Sequence, residues 1–135
     1  MFLTPEDDTY TGNPGHSTIF AKPGDDLIYG DPETGDPGRD RIFGGKGNDD
    51  LYGRDGRDKI FGDEGNDYIV GGGGEDQLNG GPGNDVIVAG DDKVADEVDG
   101  GGGFDICYLS GPDHSSLAQR TCEEVISFGP NDDLS

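Results

Sequence analysis

Residues 44–88 read GGKGNDDLY, GRDGRDKIF, GDEGNDYIV, GGGGEDQLN and GGPGNDVIV, five nonapeptides that follow one another without a gap. The fourth place of each copy is glycine, the sixth is aspartate and the eighth is leucine or isoleucine, as in Gly47, Asp49 and Leu51. A sequence repeat of fixed period decides the architecture of the chain that carries it. The nine-residue period therefore predicts a stacked repeat structure for most of this chain.

Weaker copies extend the repeat on both sides. Residues 3–11, 12–20 and 21–29 keep an apolar residue or tyrosine at the eighth place but lose glycines, and Ser17 stands where aspartate belongs. Such degenerate copies are typical of the capping repeats of an array. About five residues inserted within 31–36 and two within 89–99 are expected to form loops, and a full copy follows at 100–108.

The composition is that of a polyanion with little material for a conventional core. The 135 residues include 27 glycines, only 29% are hydrophobic, and the formal net charge is −21. Composition alone suggests a disordered chain, but a disordered acidic segment does not keep a nine-residue period. The charge disfavours nucleic acid and anionic membranes as partners and favours cations. No apolar run is long enough to span a bilayer, so membrane insertion is not expected.

The five regular copies resemble the repeats-in-toxin (RTX) nonapeptide, G-G-x-G-x-D-x-U-x, in which U is a large aliphatic residue. The resemblance implies an all-β fold, a right-handed parallel β-roll (a β-solenoid of stacked nonapeptides) that binds several Ca²⁺ ions. We expect the roll to occupy residues 3–108, with degenerate capping repeats at 3–29. A small disulfide-linked C-terminal cap and tail would occupy residues 109–135.

In such a roll two copies make one turn, so each copy lies on the next but one and like residues lie on like. The last three residues of a copy form a short strand whose middle side chain points inward. The sixth-place residues then form two columns. The first edge carries Asp8, Asp26, Asp49, Asp67, Asp85 and Asp105, and the second edge carries Ser17, Asp40, Asp58, Asp76 and Asp96.

Stacked strands lie about 4.8 Å apart, so the carboxylates in a column would repel one another unless cations separate them. Calcium suits such a site because it takes six to eight hard oxygen ligands in loose geometry, whereas Mg²⁺ requires a tighter octahedron. Zinc is disfavoured because thiolates and imidazoles are absent from the loops, apart from His16. A merely solvated acidic face is the alternative interpretation.

The resemblance also implies the ligands. One loop would supply the carbonyls of its first and third residues, the stacked loop those of its second and fourth, and the two aspartates complete the site. Three sites are expected on this basis. On the first edge, one pairs Gly44, Lys46 and Asp49 with Asp63, Gly65 and Asp67, and the next pairs Gly62, Glu64 and Asp67 with Gly81, Gly83 and Asp85. On the second edge, Gly53, Asp55 and Asp58 pair with Gly72, Gly74 and Asp76. Asp26, Asp40, Asp96 and Asp105 are further candidates. The insertions are expected to weaken the sites at Asp40 and Asp96, and Ser17 weakens the expectation of a site between itself and Asp40.

The two cysteines, Cys107 and Cys122, predict one disulfide and an oxidising compartment. The alternative is two reduced cysteines, one of them in the core. Asp105-Ile106-Cys107 and Cys122-Glu123 resemble the ending of secreted actinobacterial RTX-type proteins. Between and after the cysteines we expect a short helix at residues 115–120 and a strand at 124–128 that covers the end of the roll.

The predicted function is a non-catalytic calcium-binding module, secreted or extracellular, whose folding is coupled to calcium binding. One alternative is an accessory module of a secreted exoenzyme, which would bind a polysaccharide or assist a catalytic domain of the parent protein. Another is a segment of an adhesin or surface layer. The ninth-place aromatics, such as Phe43 and Tyr52, are expected to form ladders on the outer faces and would be the candidate docking surface.

Overall fold

The computed structural model describes residues 1–33, 37–90, 95–109 and 121–127. This part of the chain forms short β-strands joined by glycine-rich loops. The strands are β1 (Thr9–Thr11), β2 (Thr18–Phe20), β3 (Leu27–Tyr29), β4 (Arg41–Lys46), β5 (Asp50–Tyr52), β6 (Lys59–Glu64), β7 (Tyr68–Val70), β8 (Gln77–Asn79), β9 (Val86–Val88), β10 (Glu97–Asp99), β11 (Ile106–Leu109) and β12 (Glu124–Ser127). Within the described ranges no helix has the length and apolar character needed to cross a membrane.

Each strand of the array begins at the seventh place of a nonapeptide, as the period predicts. In β5, Asp50 is exposed, Leu51 is buried and Tyr52 is half-buried. This alternation follows from the pleat of an extended chain, in which successive side chains point to opposite faces. Only the eighth-place side chain therefore reaches the interior, which is why one aliphatic residue in nine suffices.

Two parallel sheets result from the alternation of successive copies. One has seven strands in the order β1-β3-β5-β7-β9-β11-β12, and the other has five in the order β10-β8-β6-β4-β2. Leu51 pairs with Ile69, and Ile69 pairs with Ile87, so each copy lies on the next but one. The chain is thus a parallel β-solenoid of about six turns, and the predicted fold class is confirmed.

Both insertions leave the register of the strands unchanged. Equivalent residues are 18 apart in the regular turns, such as Asp49 and Asp67. They are 23 apart from Asp26 to Asp49 and 20 apart from Asp76 to Asp96, across the two insertions. The described strands on both sides of each insertion therefore keep their pairing, as predicted, whereas a shift of one residue within a strand would turn its aliphatic side chain to solvent.

The core is a double column of aliphatic side chains between the two sheets. Its eighth-place members are 0–2% exposed and comprise Ile19, Ile28, Ile42, Leu51, Ile60, Ile69, Leu78, Ile87, Val98 and Cys107. Ala21, Ala89 and Leu109 are buried beside the columns. The hydrophobic content is low because each turn contributes only two such side chains.

The first residues of the chain add to the five-stranded sheet. The Phe20 N–H donates to the Met1 carbonyl at 2.8 Å, and the Leu3 N–H donates to the Phe20 carbonyl at 2.9 Å. Phe2 thereby stacks on Phe20, with ring centroids 4.8 Å apart. The aromatic ladder continues through Phe43 and Phe61 at 4.8 and 5.1 Å. The predicted outer ladders are confirmed, and Phe2 is a member that the repeat pattern did not reveal.

The C-terminal strand continues the seven-stranded sheet. β12 pairs in parallel with β11, so that Val125 lies beside Cys107. Cys107 and Cys122 form the predicted disulfide, with their Cα atoms 6.0 Å apart. The predicted strand at 124–128 is therefore present as Glu124–Ser127. The helix expected at 115–120 lies outside the described residues.

Candidate metal centre

The sixth-place aspartates form the two predicted columns, and each column is joined by side-chain hydrogen bonds. On the first edge the Asp49 N–H donates to Oδ1 of Asp67, and the Asp67 N–H donates to Oδ1 of Asp85, at 2.9 and 2.8 Å. On the second edge the N–H of Asp58 donates to Oδ1 of Asp76 at 2.9 Å. Ser17 keeps only the donor half of the pattern, since its N–H donates to Oδ1 of Asp40.

The second oxygen of the carboxylates has no such role. Oδ2 is buried and accepts no hydrogen bond in Asp26, Asp40, Asp49, Asp58, Asp67, Asp85 and Asp105. A buried polar atom without a partner is uncommon in proteins, and a buried charge without one is costly. A repeated row of such atoms in an acidic chain indicates that a cation completes the structure.

Burial raises the pKa of these aspartates. The pKa rises from 3.8 to about 7 for Asp49 and Asp85 and to about 8 for Asp58 and Asp67. Desolvation is the largest cause, and the charges of other carboxylates in the column raise the pKa further, against a backbone hydrogen bond that lowers it. Without a cation, the fold therefore opposes ionisation of the groups that give the column its charge.

The loops pack so closely that the oxygens occupy the space a side chain would need. A methyl group built on Gly44 would lie 2.5 Å from Oδ2 of Asp49 and 2.6 Å from the carbonyl oxygen of Gly62. One built on Gly53 would lie 2.6 Å from Oδ2 of Asp58. Aspartate and backbone oxygens thus crowd the same space between two stacked loops.

The direction of the carbonyls corrects the predicted pairing. Lys46 faces the preceding turn, where its carbonyl accepts from the Gly24 N–H at 2.9 Å. The carbonyls of Asp63 and Gly65 instead face the following turn, beside Gly81 and Gly83. The space between the loops of Asp49 and Asp67 is therefore faced by the carbonyls of Gly47, Gly62 and Glu64 rather than those of Gly44, Lys46, Asp63 and Gly65.

The same reversal applies to the other two predicted sites. Asp63 and Gly65, not Gly62 and Glu64, face the loop of Asp85, and the carbonyls of Arg54 and Gly56 face the loop of Asp76. First- and third-place carbonyls point one way along the stack and second- and fourth-place carbonyls the other, as predicted. The direction depends on the path of the backbone through the loop, which the spacing of residues in the repeat does not encode.

The two predicted weak sites differ from each other. Both oxygens of Asp96 are engaged, by the N–H groups of Asp76 and Gly90 at 2.8 and 3.2 Å. In contrast, Oδ2 of Asp40 is buried and accepts no hydrogen bond. The two-residue insertion has therefore changed the surroundings of its aspartate, whereas the five-residue insertion has left the pattern at Asp40 intact.

Two carboxylates at this site were missed by the sequence interpretation. Glu123 ends the first edge, because its Oε2 accepts from the Asp105 N–H at 2.7 Å. Its position 18 residues after Asp105 could have revealed it. Asp31, in the first insertion, is 4% exposed, and its Oδ1 has no hydrogen-bond partner. No repeat position predicts it.

The donor set fits calcium. Among the described residues, no group of three or more His, Cys, Asp or Glu side chains is placed to hold a metal ion, and the oxygens that meet between the loops belong to aspartates and backbone carbonyls. Carboxylate and carbonyl oxygens are the ligands that Ca²⁺ takes in its larger, flexible coordination sphere. If bound there, the ion would supply charge that offsets the repulsion between the columns' carboxylates.

Comparison with known families agrees with this chemistry. The family model described as RTX calcium-binding nonapeptide repeat (4 copies) matches residues 4–32, 34–69 and 61–93. Neither the curated proteins nor the solved structures gave a match. Repeats of this family bind calcium, and proteins that carry them are typically secreted. The chain belongs to the RTX calcium-binding nonapeptide repeat family.

Proposed function

We propose that this chain is a non-catalytic module that folds when it binds several Ca²⁺ ions outside the cell. The observation that carries the proposal is the row of buried Oδ2 atoms without hydrogen-bond partners, repeated from Asp26 to Asp105. In the metal-free chain, these atoms must be either protonated or charged and unpaired. Each bound ion removes that cost at one gap between turns, so binding and folding are one process.

The proposed ions lie between stacked loops, where an aspartate from each loop and the facing carbonyls meet. Asp67 borders two gaps, one toward Asp49 and one toward Asp85. It would therefore contribute to two ions.

We also propose that the chain divides into the roll at residues 3–108 and the cap and tail at 109–135.

Extracellular action follows from the affinity expected of such sites. Extracellular calcium modules bind with a Kd of about 10⁻⁴–10⁻³ M. The disulfide between Cys107 and Cys122 also fits an oxidising compartment. A chain with these properties would remain unfolded where free calcium is scarce and would fold after export.

Circular dichroism of the chain in EDTA and during titration with CaCl₂ tests the proposal. Near pH 8 we expect little β signal in EDTA, a cooperative gain of β signal with calcium, and no equivalent gain with the same concentration of MgCl₂. Calorimetry on the same samples would give the number of ions. An unchanged β spectrum in EDTA would refute coupled folding, and absence of heat with calcium would refute the binding itself.

A second candidate function, binding of an anionic polysaccharide, is favoured by a basic strip on the five-stranded sheet. The strip consists of His16, Arg39, Arg41, Arg57 and Lys59, which line one cleft together with Asp40 and with Glu75, the ion-pair partner of Arg57. Arg41 and Lys59 are exposed neighbours across β4 and β6. Four of the chain's nine lysines and arginines thus lie together in a chain of net charge −21.

Charge rather than ring stacking would drive this contact. The rings of Phe43 and Phe61 are nearly parallel, 5° apart, so they cover each other's faces and leave only their edges to a ligand. Electrophoresis in gels that contain polyuronate should retard the calcium-loaded chain, and the Arg41→Gln/Lys59→Gln variant should lose the retardation. Lys46→Gln/Arg54→Gln, which removes the same charge elsewhere, should keep it. Equal behaviour of the two variants would exclude the strip as a binding site.

A further inference from the structure

The insertion at residues 31–36 carries a buried carboxylate that the regular repeat lacks. Asp31 follows Gly30 and therefore occupies the second place of its loop. In the copies from residue 21 onward, the other non-glycine residues at this place are Lys22, Arg54 and Asp63, which have positive φ and are exposed or half-buried. Asp31 is not among the positive-φ residues, and its side chain is only 4% exposed. The insertion has thus turned a second-place side chain into the protein.

The Asp31 carboxylate replaces a backbone carbonyl of the next turn as a hydrogen-bond acceptor. In regular turns the fourth-place N–H donates to a third-place carbonyl of the next turn, as from Gly47 to Glu64 at 3.0 Å. At the insertion, the Gly38 N–H donates to Oδ2 of Asp31 instead, also at 3.0 Å. Oδ1 of Asp31 is buried and accepts no hydrogen bond.

Other oxygens face the same gap between turns. A methyl group built on Gly30 would lie 2.6 Å from Oδ2 of Asp40 and 2.8 Å from the carbonyl oxygen of Gly53. Oδ2 of Asp40 and Oδ2 of Asp58 have no hydrogen-bond partner. Asp31 is among the carboxylates whose charge acts on both Asp40 and Asp58.

We propose that Asp31 is an additional carboxylate ligand of the calcium site between the loops of Asp40 and Asp58. The inference rests on the proposed calcium binding and deepens it, because it makes this site different from every regular one. With Asp31, three carboxylates would contribute to this site, where a regular site would have two. The affinity of calcium sites depends on the charge of their ligands. The insertion at residues 31–36 would therefore strengthen the site at Asp40, although an insertion there was expected to weaken it.

Calcium calorimetry on the full chain compares Asp31→Asn with Glu33→Gln. The first variant keeps an oxygen for the Gly38 N–H but loses the charge and one ligand oxygen. The second makes the same charge change at an exposed residue of the same insertion. We expect Asp31→Asn to weaken one site at least tenfold, a loss seen even when groups that only support a ligand are removed. Glu33→Gln should bind as the original chain does.

A shortened loop separates ligation from any effect of the insertion on folding. Removal of residues 32–36 leaves G-D-P-G-R-D-R-I-F, a regular nonapeptide in which Asp31 should point outward as Asp63 does. In that background Asp31→Asn should no longer alter calcium affinity. Equal loss in both backgrounds, or loss in neither, would overturn the inference. If the original chain bound no calcium, the proposed function itself would fail, which is a different result.

Discussion

The backbone N–H of Asp49 donates a 2.9 Å hydrogen bond to Oδ1 of Asp67, one turn further along the solenoid. Oδ2 of Asp67 is buried and accepts no hydrogen bond. The two oxygens of one carboxylate therefore have separate roles. One holds two loops in register, and the other is available to a cation. Substitutions that preserve the first oxygen and change the second can separate folding from calcium binding.

Asp67→Asn should weaken calcium binding and stabilise the metal-free roll. The amide oxygen can still accept from the Asp49 N–H, and the amide nitrogen can donate to the Gly80 carbonyl, which faces the same space. The loss of charge removes repulsion in the column, but it also removes a ligand from two proposed ions. We expect the calcium midpoint of the circular dichroism signal to rise at least tenfold, and the β signal in EDTA to increase.

Asp50→Asn is the matched control for this variant, because it removes the same charge from an exposed strand residue beside the column. Its calcium midpoint and its signal in EDTA should stay close to those of the original chain. If both variants shift the midpoint equally, net charge rather than ligation explains the effect. A lower β signal of Asp67→Asn in EDTA would contradict the argument that the buried charge destabilises the metal-free fold.

The stability of the metal-free chain should fall as pH rises. Burial, followed by the charges of other carboxylates, raises the pKa of Asp58 and Asp67 from 3.8 to about 8. The folded state then binds more protons than the unfolded state between pH 3.8 and about 8, so the free energy of unfolding decreases across that interval. Circular dichroism in EDTA should show β structure near pH 4 that is lost toward pH 8.

Calcium should reverse this dependence, because the ion binds only the deprotonated carboxylates. At a fixed, subsaturating calcium concentration, β signal should increase from pH 6 to pH 8. The two opposite slopes, measured on one sample with and without EDTA, provide the check. A metal-free chain whose β signal is independent of pH would show that the buried aspartates do not control folding.

The period of nine residues was sufficient to predict the sheets, the aliphatic columns and the aspartate columns, because stacking places identical positions on one another. The prediction that Leu51, Ile69 and Ile87 would form one column required only the count of residues. The direction of the loop carbonyls could not be predicted in this way. It depends on the path of the backbone through the loop, which a count of residues does not specify.

Residues outside the period were missed for a related reason. The buried side chain of Asp31 belongs to the insertion, and its backbone lacks the positive φ of Lys22, Arg54 and Asp63. Phe2 extends the aromatic ladder although it precedes the copies that the repeat pattern identifies. A periodic pattern predicts what repeats, whereas these two residues lie outside the recognised copies or in an insertion.

Asp63→Gly should be more stable than Asp63→Ala. Asp63 occupies the second place with φ of 68°, a conformation that costs residues with a Cβ about 1–2 kcal/mol. Both variants lose the same charge and the same 3.3 Å hydrogen bond from the Gly45 N–H, so they differ only in backbone strain and unfolded-state entropy. Because the entropy cost of glycine offsets part of the gain, we expect a difference of about 0.5–1 kcal/mol at saturating calcium.

Thermal or urea denaturation of the two variants in millimolar calcium would measure this difference. Gly72→Ala provides the reverse change at the same place of another copy. There φ is 89°, and the new methyl group would collide with the Arg54 carbonyl. Gly72→Ala should therefore lower the free energy of unfolding by more than the difference expected between Asp63→Gly and Asp63→Ala. If Asp63→Ala proved as stable as Asp63→Gly, the positive φ would not be a source of strain.

Reduction of the disulfide should destabilise the C-terminal end of the roll without abolishing calcium binding in its middle. A crosslink that closes a loop of 15 residues is worth about 3 kcal/mol. Each turn of a solenoid contacts only its neighbours, so the loss should act mainly on β11 and β12. The Cys107→Val/Cys122→Ala variant keeps an aliphatic residue in the buried eighth place and should match the reduced chain in urea denaturation at saturating calcium. Calorimetry should still detect the ions between the loops of Asp49, Asp67 and Asp85, whereas loss of all calcium binding on reduction would mean that the cap controls the folding of the whole array.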